Sequence, residues 1–108
     1  MKTTITNWYL VDLINLEDKT STRLLRQIVW GDVVCDETGR FSPGDYVCTN
    51  FNDSREDNTF ITMSGSHYEC IGKELHVEAD IFDLDMLRLG MSPKQIAIIK
   101  ININKDSL

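Results

Sequence analysis

Long apolar runs are missing from this chain. The longest, residues 8–11 and 96–99, are core-sized, far short of the roughly 18 residues a membrane-spanning helix needs. No membrane contact is therefore expected. The opening Met1-Lys2-Thr3-Thr4-Ile5-Thr6-Asn7 has no apolar stretch behind its lysine, so a signal peptide is not expected either. Cysteine is scarce and odd in number, with Cys35, Cys48 and Cys70. Three thiols without a leader argue against a disulfide framework. They point to reduced, buried cysteines in a cytoplasmic setting.

Positive charge is also in short supply. Eleven lysines and arginines face 17 aspartates and glutamates, for a net charge of −6, and no basic run occurs. The closest approach to a positive patch is Lys19, Arg23 and Arg26. An acidic chain repels a phosphate backbone, so nucleic acid is not expected as a partner. The acidity reads first as solubility and second as a surface for a basic protein.

Signature motifs are absent as well. Neither GxGxxG nor GxxxxGK[ST] occurs, so no phosphate cradle is indicated. Ser64-Gly65-Ser66-His67 sets hydroxyls beside an imidazole, but residues 65–69 read Gly-Ser-His-Tyr-Glu and not GxSxG. Triads are assembled in space and not by adjacency, so a polar turn is the simpler reading. The possible metal ligands Cys35, Cys48, Cys70, His67 and His76 lack the local pairs of structural zinc sites. His67 and Cys70, three apart on a strand, point to opposite faces. The acidic groups Glu78, Asp80, Asp83, Asp85 and Asp53, Glu56, Asp57 lack a calcium-loop register and read as solvated faces. No cofactor, metal or catalytic residue is assigned.

What remains is the composition of an ordinary globular chain, 42% hydrophobic and 26% charged, with 108 residues for a single domain over 1–108. It shows no internal repeat, linker or low-complexity tract. Residues 8–13, rich in aromatic and aliphatic side chains, read as a strand, and residues 15–22 as a loop. Residues 23–35 form a long strand in which Gly31 marks a bend or bulge. Asp36-Glu37-Thr38-Gly39 and Ser42-Pro43-Gly44-Asp45 are two successive tight turns, each with a glycine suited to positive φ. Residues 46–49 leave the second corner as a strand. Residues 50–58, dominated by Asn, Asp, Arg and Glu, read as an exposed loop. Residues 59–63, 67–71 and 75–78 continue a meander.

After Ala79 the texture turns helical. Asp80 caps an element with Ile81, Leu84 and Leu87 at helical spacing, ended by Arg88 and Gly90. Ser92-Pro93-Lys94-Gln95 opens a second helix with a capping box. Its Ile-Ile-Lys-Ile-Asn-Ile run also alternates as a strand does. The fold class expected is thus β-dominated α+β. The sheet would be a small, partly open β-barrel or a strongly bent antiparallel sheet with one or two short C-terminal helices.

The pattern of residues 30–34 (Trp-Gly-Asp-Val-Val) followed by Gly39-Arg40-Phe41-Ser42-Pro43-Gly44-Asp45-Tyr46-Val47-Cys48-Thr49 resembles that of a group of small uncharacterised bacterial proteins. The similarity extends over residues 8–96. It implies a bacterial origin and one compact domain, and brings no activity or site residue with it.

The function expected is non-enzymatic protein interaction. Phe41 and Phe51, which flank turns, are the candidate partner anchors. The other aromatic residues read as core, because a stacking platform for single strands needs a basic groove. The alternatives are an acidic inhibitor that mimics nucleic acid and a small enzyme with an unrecognised site.

Overall fold

A computed structural model describes residues 1–15 and 24–106, with side chains to residue 102. Lys19, Arg23 and the expected loop beyond Asn15 lie outside the described residues. The described chain runs β1 (Lys2–Ile14), β2 (Leu24–Asp36), β3 (Tyr46–Cys48), β4 (Asn52–Glu56), β5 (Thr59–Thr62), β6 (His67–Cys70) and β7 (Leu75–Asp80). A single 3-10 turn (Ile81–Asp83), α1 (Leu84–Arg88) and α2 (Pro93–Asp106) follow. This is the expected β-dominated α+β class, with helices only at the C-terminal end. No helix among the described residues is long and apolar enough to cross a membrane.

The sheet is ordered β3-β2-β1-β6-β5-β4, with β7 also pairing β1. It is strongly bent and unclosed, since its end strands β3 and β4 share no ladder. It is also mixed. β1 is parallel to β6 over Lys2–Ile5 and parallel to β7 over Tyr9–Ile14, while the other pairings are antiparallel. One long strand thus changes neighbour along its length.

The change of neighbour coincides with a bulge. Thr6 pairs Asp32 and Tyr9 pairs Trp30, so Asn7 and Trp8 stand against Gly31 alone. Asn7 takes φ 48°, the left-handed conformation that one bulge type requires. The bend foreseen at Gly31 is therefore made by the opposite strand. Gly31 is there for space, because a Cβ on it would lie 3.0 Å from Trp8 Cβ and 3.1 Å from the Thr6 carbonyl oxygen. The extra residue also shifts the alternation. Thr3 and Ile5 point inward before it, Trp8 and Leu10 after it.

Two apolar clusters result. Ile5, Trp8, Leu10, Val29, Val33, Val47, Phe60, Tyr68 and Cys70 fill the first. Trp8 and Phe60, both fully buried, meet edge to face at 5.7 Å. Val11, Leu13, Ile28, Trp30, Leu84, Leu87 and Ile96 fill the second, on the side that α1 and α2 cover. Neighbouring residues of β1 such as Leu10 and Val11 join different clusters, so the strand is buried on both faces. Full burial of each such side chain is worth roughly 1.5–3 kcal/mol.

The turns form as their residues require. Gly39 and Asp45 donate from their backbone N–H groups to the carbonyls of Asp36 and Ser42, and Gly39 and Gly44 both take positive φ. Asp80 caps the 3-10 turn by accepting from the Phe82 N–H. Gly90 and Met91 donate to the Leu87 and Met86 carbonyls, a Schellman closure of α1. Ser92 and Gln95 exchange both capping-box bonds, at 2.9 and 3.2 Å. With that start, the Ile-rich run is helical and not a strand.

Four expectations need correction. The meander stops at β6, because β7 pairs β1 and not β6, and both run parallel to β1, so the bent sheet is mixed and not wholly antiparallel. Residues 52–56 are a strand and not a loop, closed onto β5 by a two-residue turn in which Asp57 has φ 52°. As an end strand with four exposed residues, it carries no apolar signal. β1 begins at Lys2, well before residue 8. Cys35 is exposed, while Cys48 is half-buried and Cys70 buried. A second bulge explains Cys35. Ile5 pairs Val33 and Thr4 pairs Cys35, so the extra Val34 pushes Cys35 onto the outer face.

Candidate functional site

β3 is three residues long because the corner at residues 42–45 delivers it and Thr49 ends it. Its register against β2 is Asp32↔Tyr46, Gly31↔Val47 and Trp30↔Cys48. Val33 N–H donates to the Asp45 carbonyl at 2.8 Å, and Thr49 N–H donates to the Val29 carbonyl at 2.9 Å. The Thr49 hydroxyl accepts from Val29 N–H at 2.9 Å. In an antiparallel ladder the residues alternate between facing the neighbour and facing away. Asp45, Val47 and Thr49 face β2. The N–H and C=O groups of Tyr46 and Cys48 therefore face away, on the open end of the sheet.

That open edge borders a cleft of about 550 Å³, lined by residues 44–48 together with Phe41 and Arg88. The volume lies within the usual range of ligand sites. One wall is aromatic and helical. Tyr46 stacks on Trp30, with ring centroids 5.9 Å apart and planes at 13°. Its hydroxyl donates to the Arg88 carbonyl at 2.7 Å, and Trp30 Nε1 donates to the Leu87 carbonyl at 3.0 Å. Both acceptors belong to the last turn of α1, where carbonyls lack partners within the helix. The Arg88 side chain is exposed and makes no salt bridge among the described residues.

The opposite wall is Phe41, half-buried against the first apolar cluster. Its N–H donates to Asp36 at 2.8 Å. Asp36 also accepts from the Thr3 hydroxyl and from both the N–H and hydroxyl of Thr38, at 2.7–2.9 Å. Desolvation pushes the Asp36 carboxyl up, but the bonds from Thr38, Thr3 and Phe41 outweigh it. They hold the carboxyl well below the usual carboxylate range. The Arg40 guanidinium lies 5.3 Å from the Phe41 ring centroid. On the floor, burial pushes the Cys48 thiol up to about 11 against an opposing pull from Arg88. It stays protonated at neutral pH and is a poor nucleophile.

Of the two anchors expected from the sequence, Phe41 lines this cleft and Phe51 does not. Phe51 rests against the second apolar cluster, with Arg26 at 5.7 Å from its ring centroid. Tyr46 and Arg88 were missed as site residues. Phe-x-Pro-Gly-Asp-Tyr was visible as a corner, but nothing in it says that the strand after the corner ends the sheet.

A second polar grouping lies elsewhere. His76 Nε2 is 2.5 Å from Asp12 Oδ2, and Gln27 donates to Asp12 Oδ1 at 2.8 Å. Asn52 reaches Gln27 at 3.5 Å, and its own Oδ1 is buried with no hydrogen-bond partner among the described residues. No hydroxyl or thiol is hydrogen-bonded to His76 among the described residues. In the Ser64–His67 segment, the Ser64 hydroxyl meets Thr62 and that of Ser66 accepts from Arg40. Neither hydroxyl is hydrogen-bonded to His67 among the described residues. Among the described residues no group of three or more His, Cys, Asp or Glu could hold a metal ion.

Set against known protein families, curated proteins and solved structures, the chain matches none of them.

Proposed function

We propose that this chain is a non-enzymatic protein-interaction module whose partner binds along the outer edge of β3. The observation that carries this reading is the cleft itself. It joins the outer backbone edge of β3, two aromatic rings and an arginine that has no ion-pair partner among the described residues. Leu89, next in the chain to Arg88, is 81% exposed, which extends the apolar surface that an interface needs. The titratable groups beside the cleft are set for structure. Asp36 is saturated with donors, Asp45 accepts from Ser42 N–H, and the Cys48 thiol is protonated.

The acidic side chains support the same reading over nucleic-acid mimicry. Asp12, Asp36, Asp45, Glu69, Glu74, Asp80 and Asp83 all hold internal hydrogen bonds or ion pairs. A mimic needs such carboxylates free and aligned on one face.

The test uses the purified chain as bait at near-physiological salt, about 150 mM. A protein it retains is then purified and titrated back by calorimetry. We expect one protein bound at a defined ratio by wild type and at least tenfold (about 1.4 kcal/mol) more weakly by Arg88→Glu. Micromolar binding of labelled single- or double-stranded oligonucleotides at the same salt, with no protein retained, overturns the reading.

A further inference from the structure

The described sheet has three open edges, and they differ in one respect. β4 carries Asp53, Arg55 and Glu56, and β7 carries Glu78 and Asp80. Charges of this kind protect an exposed edge against pairing with another chain. β3, reading Tyr46-Val47-Cys48, carries none. Its outward N–H and C=O groups open onto the cleft. Resting on the proposed role in protein interaction, we infer that this edge takes an extended peptide segment as an additional strand, with acidic side chains flanking an apolar one.

The side-chain order follows from the pleat. In a strand laid beside β3, residues opposite Tyr46 and Cys48 project to the same face as those two side chains. That face holds the end of α1 and the Arg88 guanidinium. The residue between them, opposite Val47, projects to the other face. There Val47 and Phe41 border the first apolar cluster. Arg88, exposed and with no ion pair among the described residues, favours carboxylates, which it can hold in two parallel bonds. Phe41 and Val47 favour an aliphatic or aromatic side chain. The occupant is therefore a segment alternating acidic, apolar, acidic, with main-chain bonds supplying affinity and the two faces supplying selectivity.

The test is a selection of short random peptides displayed on phage against the folded full chain. The best binders are followed by amide NMR and hydrogen exchange. We expect selected peptides to carry the acidic–apolar–acidic alternation, and the Tyr46 and Cys48 amides to shift and become protected on binding. N-methylation of the peptide amides facing β3 should weaken binding at least about tenfold, because each removes a ladder donor. A selection repeated against Arg88→Glu should exchange the acidic positions for basic ones. Cys48→Pro removes an outward donor while leaving the inward bonds of Val47 and Thr49, so it should also lose binding. Peptides that bind with no charge preference, or that tolerate N-methylation without protecting Tyr46 and Cys48, overturn the strand-addition inference. In that case, retention of a folded protein partner at the cleft still upholds the broader reading, and its absence removes both.

Discussion

Tyr46 and Trp30 stack nearly parallel at 5.9 Å and end on successive carbonyls of α1, Tyr46 on that of Arg88 and Trp30 on that of Leu87. Residues 16 apart in sequence, on paired strands, thereby cap one helix from below and fix one wall of the cleft. The two bonds differ in exposure, and so should their worth. Trp30→Phe removes a buried bond to the Leu87 carbonyl, which keeps the Gly90 N–H, and leaves space where the larger ring packed, so it should cost about 1–3 kcal/mol. Tyr46→Phe loses a bond at an exposed site and should cost no more than about 1 kcal/mol. Urea unfolding of both variants measures the difference, and equal losses would contradict this account of the wall.

Two glycines separate the cost of crowding from that of backbone strain. Gly31→Ala sets a methyl 3.0–3.2 Å from Trp8 Cβ and Cα and the Thr6 carbonyl, at a bulge fixed by its neighbours. We expect a loss of about 1–3 kcal/mol, with heightened mobility around Asn7 in amide exchange. Gly39→Ala meets nothing within 4 Å but must hold φ +77°. It should cost about 1 kcal/mol from conformation alone and leave the fast, locally opening amides around Asn7 unchanged.

The Asp36 carboxyl gives the fold a specific acid sensitivity. Its folded pKa lies below its unfolded one, so its contribution is complete above the unfolded value, near pH 4, and is lost as pH falls toward the folded value. Asp36→Asn should be less stable than wild type at pH 7, and the gap should narrow as pH drops below about 4. Urea midpoints measured across that range for both proteins give the check. A gap that widens in acid would reverse the sign and refute the assignment.

The thiols should react in the order of their burial. Cys35, exposed on the outer face, should label rapidly with an alkylating reagent in the native protein. Cys48, pushed up to about 11, should label slowly, and Cys70, pushed up to about 12 by burial, should wait for unfolding. Mass spectrometry of a time course should show one fast adduct; three fast adducts would contradict the two burial assignments.

What could be read from residues alone was local. The corners at Asp36–Gly39 and Ser42–Asp45, the Asp80 cap and the Ser92–Gln95 box all form as expected, because each is decided within four residues. What escaped depends on partners distant in sequence. The outward turn of Cys35 needs a bulge at Val34, which exists only because Ile5 pairs with Val33. β4 escaped because an end strand with charged, exposed side chains has no apolar rhythm. The cleft escaped for the same kind of reason. Tyr46 is a site residue because β3 ends the sheet, and the place of a strand in a sheet is set by the whole chain. Phe41 was within reach, since an aromatic residue between two tight corners has no strand of its own to bury it.

The partner change along β1 also bears on how the chain is made. A ribosome releases β1 and β2 first, and these can zip into a hairpin at once. The other edge of β1 stays bare until residues 67–80 have been synthesised, because among the described strands it is β6 and β7 that fill it. Trp8, whose indole N–H reaches the Gly72 carbonyl at 3.4 Å, waits for the same segment. During that interval a largely apolar strand is exposed to other nascent chains. The two parallel ladders then join residues 65 and 66 apart in sequence, such as Lys2 with His67 and Tyr9 with Leu75, the slow kind of step in folding. Among the strands, completion of the native state is thus tied to the last one, and chains stopped before β7 should be prone to aggregate.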